Sequence, residues 1–132
     1  MSKRILIADD EPHVIRVLKQ SLERQGYAVE GVLNGEAALE KVREQPPDVL
    51  ITDIQMPRMT GEALCKKIQA ELPQRDFLIF VLTSRTEIEH REWSRHITNL
   101  QFLEKPISIR KLIAQLNDYF DSTPLQRSQV EC

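Results

Sequence analysis

The chain alternates between two kinds of segment. Ile5 to Ala8, Val49 to Ile51 and Phe77 to Leu82 are short unbroken apolar runs rich in branched residues. Tyr27 to Val32 and Leu100 to Leu103 are weaker runs of the same kind. An apolar run without polar alternation suits a strand buried on both faces, as in a parallel sheet covered by helices. Between the runs the apolar positions take helical spacing. Val14, Leu18 and Leu22 recur every four residues with Ile15 beside them, and Gly26 follows as a stop signal. Ala37, Ala38, Leu39 and Val42 mark a second helix, after Asn34 and Gly35 and before Pro46 and Pro47. Ala63, Leu64, Ile68 and Leu72 mark a third, closed by Pro73. The stretch from Thr86 to Arg95 predicts a fourth helix, charged and weakly apolar. Leu112, Ile113, Leu116, Tyr119 and Phe120 predict a fifth, starting just after Pro106.

Strand and helix therefore alternate five times. That order predicts an α/β fold, a (βα)5 doubly wound five-stranded parallel sheet with right-handed crossovers and helices on both faces. Residues 1–121 are expected to form the domain, and the polar, aperiodic residues 122–132 a tail or the start of a linker. In such sheets ligands sit at the carboxyl ends of the strands, near the point where strand order reverses.

Composition narrows the class. At 132 residues, with 41% apolar and 29% charged positions, the chain is one ordinary globular domain rather than a disordered or disulfide-built one. Its 18 basic and 20 acidic residues leave a net charge of -2. That argues against a chain-wide electrostatic grip on nucleic acid, though it leaves room for a small local basic patch. Cys65 and Cys132 form no C-x-x-C pair, so neither a metal finger nor a redox motif is supported. Cys65 is expected half-buried on the third helix. The apolar run at Ile5 is too short for a signal sequence or a membrane span. A reducing, cytoplasmic setting is the expectation.

The strand ends carry the chemistry. The first strand ends in Asp9 and Asp10, the third in Asp53, the fourth in Thr83 and Ser84, and the fifth in Glu104, Lys105 and Pro106. Alternation turns Glu104 away. Three carboxylates in one cleft repel, and at least one pKa rises unless a divalent cation intervenes. Carboxylate, carbonyl and water oxygens suit Mg2+. Lys105 adds a point charge that reaches a carboxylate or a phosphoryl group, and Thr83 adds a hydroxyl donor. With no Cys or His nucleophile beside a base, the set equips an Asp oxygen to attack phosphorus and form an aspartyl phosphate. Taken singly, each residue has a plainer role: Asp9, Asp10 or Thr83 as a helix cap, Asp53 as a loop residue, Lys105 as a solvated lysine. Every strong strand run nevertheless ends in a member of the same set.

These residues resemble the receiver (response regulator) domains of two-component signalling, the CheY-like superfamily, over about residues 3 to 120. The match rests on Asp9-Asp10, on Asp53-Ile-Gln-Met-Pro-Arg-Met-Thr-Gly61, on Thr83-Ser84 and on Lys105-Pro106, in the family's order and approximate spacing. The resemblance implies the flavodoxin-like receiver fold. It implies that Asp53 is the phosphoacceptor, and that Asp10, Asp53 and the backbone carbonyl of Gln55 hold Mg2+ with Asp9 orienting water or the metal. It implies that Thr83 and Lys105 bind phosphoryl oxygens and that the Lys105-Pro106 peptide is cis. Phe102 would be a switch residue that follows Thr83, or else a plain core aromatic. By the same resemblance, Gln55 and Arg85, two beyond the acceptor and the threonine, occupy positions that tend to tune phosphate lifetime. The donor would be a phospho-histidine on a sensor histidine kinase or histidine phosphotransfer domain. Output would run through the face of the fourth helix, fifth strand and fifth helix, near Trp93, Phe102 and Tyr119. That face also permits a homodimer.

The chain departs from the family at His96-Ile97-Thr98-Asn99-Leu100, where a small Gly-Ala pair is common, and at Ser84, where Ala is common. Turnover would be self-directed, with slow autodephosphorylation, so the chain is read as a signalling domain and not an enzyme. Its output is expected through stand-alone docking or relay, or in a larger response regulator. The rivals are weaker. A degenerate receiver that only binds partners would have a broken set. An Asp-nucleophile phosphatase of the haloacid-dehalogenase pattern needs a second Asp where Gln55 stands. A nucleotide or flavin module needs a glycine cradle that the four glycines do not form.

Overall fold

The computed structural model describes residues 2–88 and 91–121. The expected tail over 122–132, Cys132 included, lies outside them. Along the chain the elements are β1 (Arg4–Ala8), α1 (Pro12–Arg24), β2 (Ala28–Val32), α2 (Gly35–Glu44), β3 (Val49–Asp53), α3 (Gly61–Glu71), β4 (Leu78–Thr83), α4 (Arg85–Ile88), a 3-10 turn (Arg91–Ser94), β5 (Leu100–Glu104) and α5 (Ile109–Asp121). The five strands pair in parallel in the order β2-β1-β3-β4-β5. Strand order therefore reverses between β1 and β3, and their carboxyl ends flank the switch point.

The unbroken apolar runs have the expected cause. Every position of β3 and β4 is buried, and successive side chains feed opposite layers. Leu6, Ala8, Leu50, Ile79 and Val81 pack with Ala38, Leu39, Val42, Leu64 and Ile68 of α2 and α3. Ile5, Ile7, Val49, Ile51, Leu78, Phe80 and Leu82 pack with Leu18, Leu22, Leu112 and Leu116 of α1 and α5. Each fully buried Leu or Ile contributes about 1.5–3 kcal/mol. β2 reads more weakly because it is an edge strand, with none of its positions fully buried. Cys65 corrects the sequence reading: it is fully buried in the α2/α3 layer, and burial pushes its thiol up to about 12.

Local signals set the helix ends. Pro12 opens α1, where its missing N–H costs nothing, and Gly26 follows with φ 96°. The Asn34 side chain caps α2 by accepting from Ala37 N–H at 2.7 Å, and Thr60 caps α3 through Ala63 N–H at 3.1 Å. α5 begins at Ile109, later than Pro106 suggested, because Ser108 Oγ accepts from Lys111 N–H at 3.2 Å and serves as the cap. The fourth helix also differs. Of the stretch Thr86 to Arg95, the described residues are helical up to Ile88 in α4 and form the 3-10 turn over Arg91–Ser94. Ile88 and Trp93 are the apolar residues of that stretch. Two apolar positions are too few to make the apolar stripe of a longer helix. No helix among the described residues is long and apolar enough to cross a membrane.

Candidate functional site

The switch point brings the three strand-end aspartates together. Oxygens of Asp9, Asp10 and Asp53 all lie within 4.8 Å of one another. Asp9 and Asp53 are 2% and 5% exposed, while Asp10 faces solvent. Neither Asp9 nor Asp10 caps α1, whose N-cap is Glu11 without a side-chain bond. Asp9 Oδ1 instead accepts from Glu11 N–H at 2.9 Å in the loop between strand and helix. Burial pushes the Asp9 carboxyl up to about 6; the Glu11 N–H bond opposes this, the Asp53 charge adds to it and Lys105 offsets part of it. Hard carboxylate oxygens in this arrangement fit Mg2+ in ligand type and charge.

Asp53 ends β3 and joins this cluster to the fourth and fifth strands. Its Oδ1 accepts from Ile54 N–H at 2.9 Å and from Lys105 Nζ at 2.9 Å. Lys105 is thus no freely solvated lysine. Burial works against its ammonium, but the bond to Asp53 and the charges of Asp53, Asp9 and Glu87 outweigh that and hold it above its ordinary pKa. Its backbone N–H donates to the Thr83 carbonyl at 2.7 Å, which ties the ends of β4 and β5. The Lys105-Pro106 peptide is cis. Thr83 is fully buried, and its Oγ1 has no partner among the described residues. It does not cap the next helix. Ser84 does so, in a reciprocal box: Ser84 N–H donates to Glu87 Oε1 at 2.8 Å, and Glu87 N–H to Ser84 Oγ at 3.2 Å.

The remaining expected residues lie around this centre. Gln55 is exposed on the loop after β3, and its Nε2 donates to Glu87 Oε2 at 3.2 Å. Arg85 opens α4; its side chain falls outside what the structure describes. Phe102 is half-buried on β5 and meets Trp93 edge-on, with centroids 5.8 Å apart, in the layer that holds α3. It is not brought to the carboxylates. Tyr119 belongs to the amino end of the sheet, where its hydroxyl donates to the Asp76 carbonyl at 2.9 Å. Glu104 is exposed, as alternation requires.

Two residues gain significance only in three dimensions. A Cβ on Gly61 would fall 2.1 Å from the Asp53 carbonyl oxygen. Only glycine lets the start of α3 rest on the loop that leaves Asp53, and Gly61 N–H donates to the Ile54 carbonyl at 2.8 Å across that contact. Glu87 is the other: it bonds both Gln55 and Ser84, from the two loops that follow β3 and β4. The sequence signal for it was the Ser84-x-x-Glu87 spacing of a capping box.

The family model of the response regulator receiver domain matches residues 5–117. The chain belongs to the response regulator receiver family. This receiver domain is 33% identical over 130 residues to Response regulator MprA of Mycobacterium ulcerans (strain Agy99), covering 98% of this chain and 55% of that protein. It is 31% identical over 130 residues to the alkaline phosphatase synthesis transcriptional regulatory protein PhoP of Bacillus subtilis (strain 168), covering 98% and 51%. The chain thus spans about half the length of these curated relatives. Among solved structures it resembles the chemotaxis response regulator CheY4 of Vibrio cholerae, with TM-score 0.80, 27% identity, and 89% and 98% of the two chains covered. A signal receiver domain of a signal transduction histidine kinase from Syntrophus aciditrophicus gives TM-score 0.80 at 28% identity, covering 93% of each chain. The receiver domain is a signalling module of two-component response regulators.

Proposed function

We propose that Asp53 accepts a phosphoryl group from a phospho-histidine on a sensor histidine kinase or histidine phosphotransfer domain, in a Mg2+-dependent reaction. The observation that carries this reading is the pairing of Asp53 with Lys105 at 2.9 Å beside a buried Thr83 hydroxyl that has no partner among the described residues. A buried polar group left unbonded is destabilising, and a phosphoryl group on Asp53 would supply the acceptor oxygens that Thr83 lacks. An Asp53 oxygen attacks phosphorus, the P–N bond to the imidazole breaks as the P–O bond forms, and the imidazole leaves with its electron pair. Asp10, Asp53 and the Gln55 backbone carbonyl would hold Mg2+, with Asp9 orienting water or the metal. The bound cation supplies neutralisation of the carboxylates and the transferring oxygens. Lys105 exchanges its Asp53 partner for a phosphoryl oxygen, and Thr83 donates to another.

The consequence is a population shift. The domain samples two arrangements, and the anion on Asp53 favours the one in which Thr83 and Lys105 reach it. Thr83 and Lys105 sit at the ends of β4 and β5, so the shift is read on the face of α4, β5 and α5, with Phe102 following Thr83. The product hydrolyses slowly, and turnover is self-directed, as befits a cytoplasmic signalling domain. Residues 1–121 form this unit and 122–132 a tail or linker. The output partner docks on the α4, β5 and α5 face, which also permits a homodimer without requiring one.

Intact-protein mass after incubation with acetyl phosphate tests the reading. One phosphoryl adduct that requires Mg2+ and is lost in Asp53→Asn is expected. An equal yield in Asp53→Asn moves the acceptor elsewhere.

A further inference from the structure

Glu87 is held in an unusual place for a surface glutamate. Its two carboxylate oxygens take donors from two different loops, Ser84 N–H at 2.8 Å and Gln55 Nε2 at 3.2 Å. Ser84 directly follows Thr83, and Gln55 stands two residues beyond Asp53. Glu87 therefore bridges the loops that follow β3 and β4, beside the cleft. Burial opposes its charge, but the bonds from Ser84 and Gln55 and the Lys105 ammonium outweigh it and hold Glu87 below its ordinary pKa. It is ionised at neutral pH. It also lies outside the group of Asp9, Asp10 and Asp53 that fits a divalent cation, so it is not one of the residues that would hold the metal.

We propose that Glu87 is an electrostatic gate on the cleft: its carboxylate, fixed beside the cleft by Ser84 and Gln55, repels an incoming phosphoryl group and slows phosphorylation by anionic donors. The inference rests on the reading of Asp53 as acceptor. A phosphoryl group brings about two negative charges at neutral pH, and a fixed carboxylate beside its path raises the electrostatic work of bringing it in. Movement of Thr83 toward the phosphoryl group carries Ser84 with it through the backbone and loosens the Ser84 bond that positions Glu87. The same residue thereby opposes loading in the resting domain and gives way once loading has occurred.

The test compares the acetyl phosphate reaction rate at saturating Mg2+ across a salt series for the wild type, Glu87→Gln and Glu87→Asp. Gln can still accept from Ser84 N–H and bond Gln55 but carries no charge. Asp keeps the charge on a shorter arm. Glu87→Gln is expected to react roughly three-fold faster or more at low salt, with the gap closing as salt screens the charge. Glu87→Asp is expected to remain close to the wild type. Equal rates for Glu87→Gln and wild type, a salt-independent gap, or Glu87→Asp as fast as Glu87→Gln would each overturn the gate while leaving Asp53 as acceptor. Absence of any adduct on the wild type would overturn the gate, and a phospho-histidine donor would then decide separately whether Asp53 is the acceptor.

Discussion

Asp9→Asn should stabilise the metal-free domain. Asp9 is 2% exposed and shares its cleft with Asp10 and Asp53. Its carboxyl is pushed from 3.8 to about 6, chiefly by burial. Each pK unit is worth about 1.4 kcal/mol, so ionising Asp9 in the fold costs about 3 kcal/mol, reduced to about 2 kcal/mol because the cleft opens to water at Asp10. Asn retains the oxygen that accepts from Glu11 N–H and loses the charge. Urea unfolding in chelator at pH 7 should therefore show Asp9→Asn more stable by about 2 kcal/mol. The folded state binds this proton more readily than the unfolded chain. The wild type accordingly loses stability relative to the variant as pH rises from about 4 to about 6, the window between the two pKa values. Below that window the two proteins should converge. Saturating Mg2+ should reverse the order, because the wild type binds it with a full set of carboxylates. A variant no more stable at pH 7, or a gap that does not change with pH, would refute the assignment of Asp9 as a buried charge tolerated for the metal.

Three other outcomes follow from the same geometry. Thr83→Val replaces a buried hydroxyl that has no partner among the described residues with a methyl group of similar size; it should raise stability by about 1 kcal/mol in denaturant titrations while abolishing the conformational response to phosphorylation. Gly61→Ala places a Cβ 2.1 Å from the Asp53 carbonyl oxygen, and should cost about 2–4 kcal/mol and slow adduct formation; thermal melts beside a phosphorylation assay check both. Lys105→Ala should retain Mg2+ binding, measured by metal titration, but weaken the coupling of phosphorylation to partner binding, so a full partner response in that variant would show that Lys105 does not transmit it.

The central strands were legible because a strand buried on both faces cannot hide its composition: β3 and β4 admit no exposed position. From there the strand-end rule led to Asp9, Asp10, Asp53, Thr83 and Lys105 without knowledge of any distance. What periodicity missed was decided by single contacts. The Thr86 to Arg95 segment has charge but no apolar stripe, so nothing in its spacing reveals the 3-10 turn over Arg91–Ser94, where Trp93 packs on Phe102. Cys65 read as half-buried because it stands between Leu64 and the charged pair Lys66 and Lys67 in the sequence, whereas the fold buries it completely in the α2/α3 layer. Glu87 was one acid in a charged run, and only the fold brings Gln55 to its carboxylate. Gly61 was visible as a letter of the motif, but the reason for it, the Asp53 carbonyl against its Cα, is a matter of packing.

The central claim is that the phosphoryl group resides on the Asp53 carboxylate, and borohydride trapping reads that position directly. Reduction of the Mg2+-dependent acetyl phosphate product, followed by peptide mass spectrometry, should convert residue 53 to homoserine and leave Asp9 and Asp10 unchanged. Homoserine at position 9 or 10, or a stable phosphoryl adduct with residue 53 still aspartate, would contradict the account.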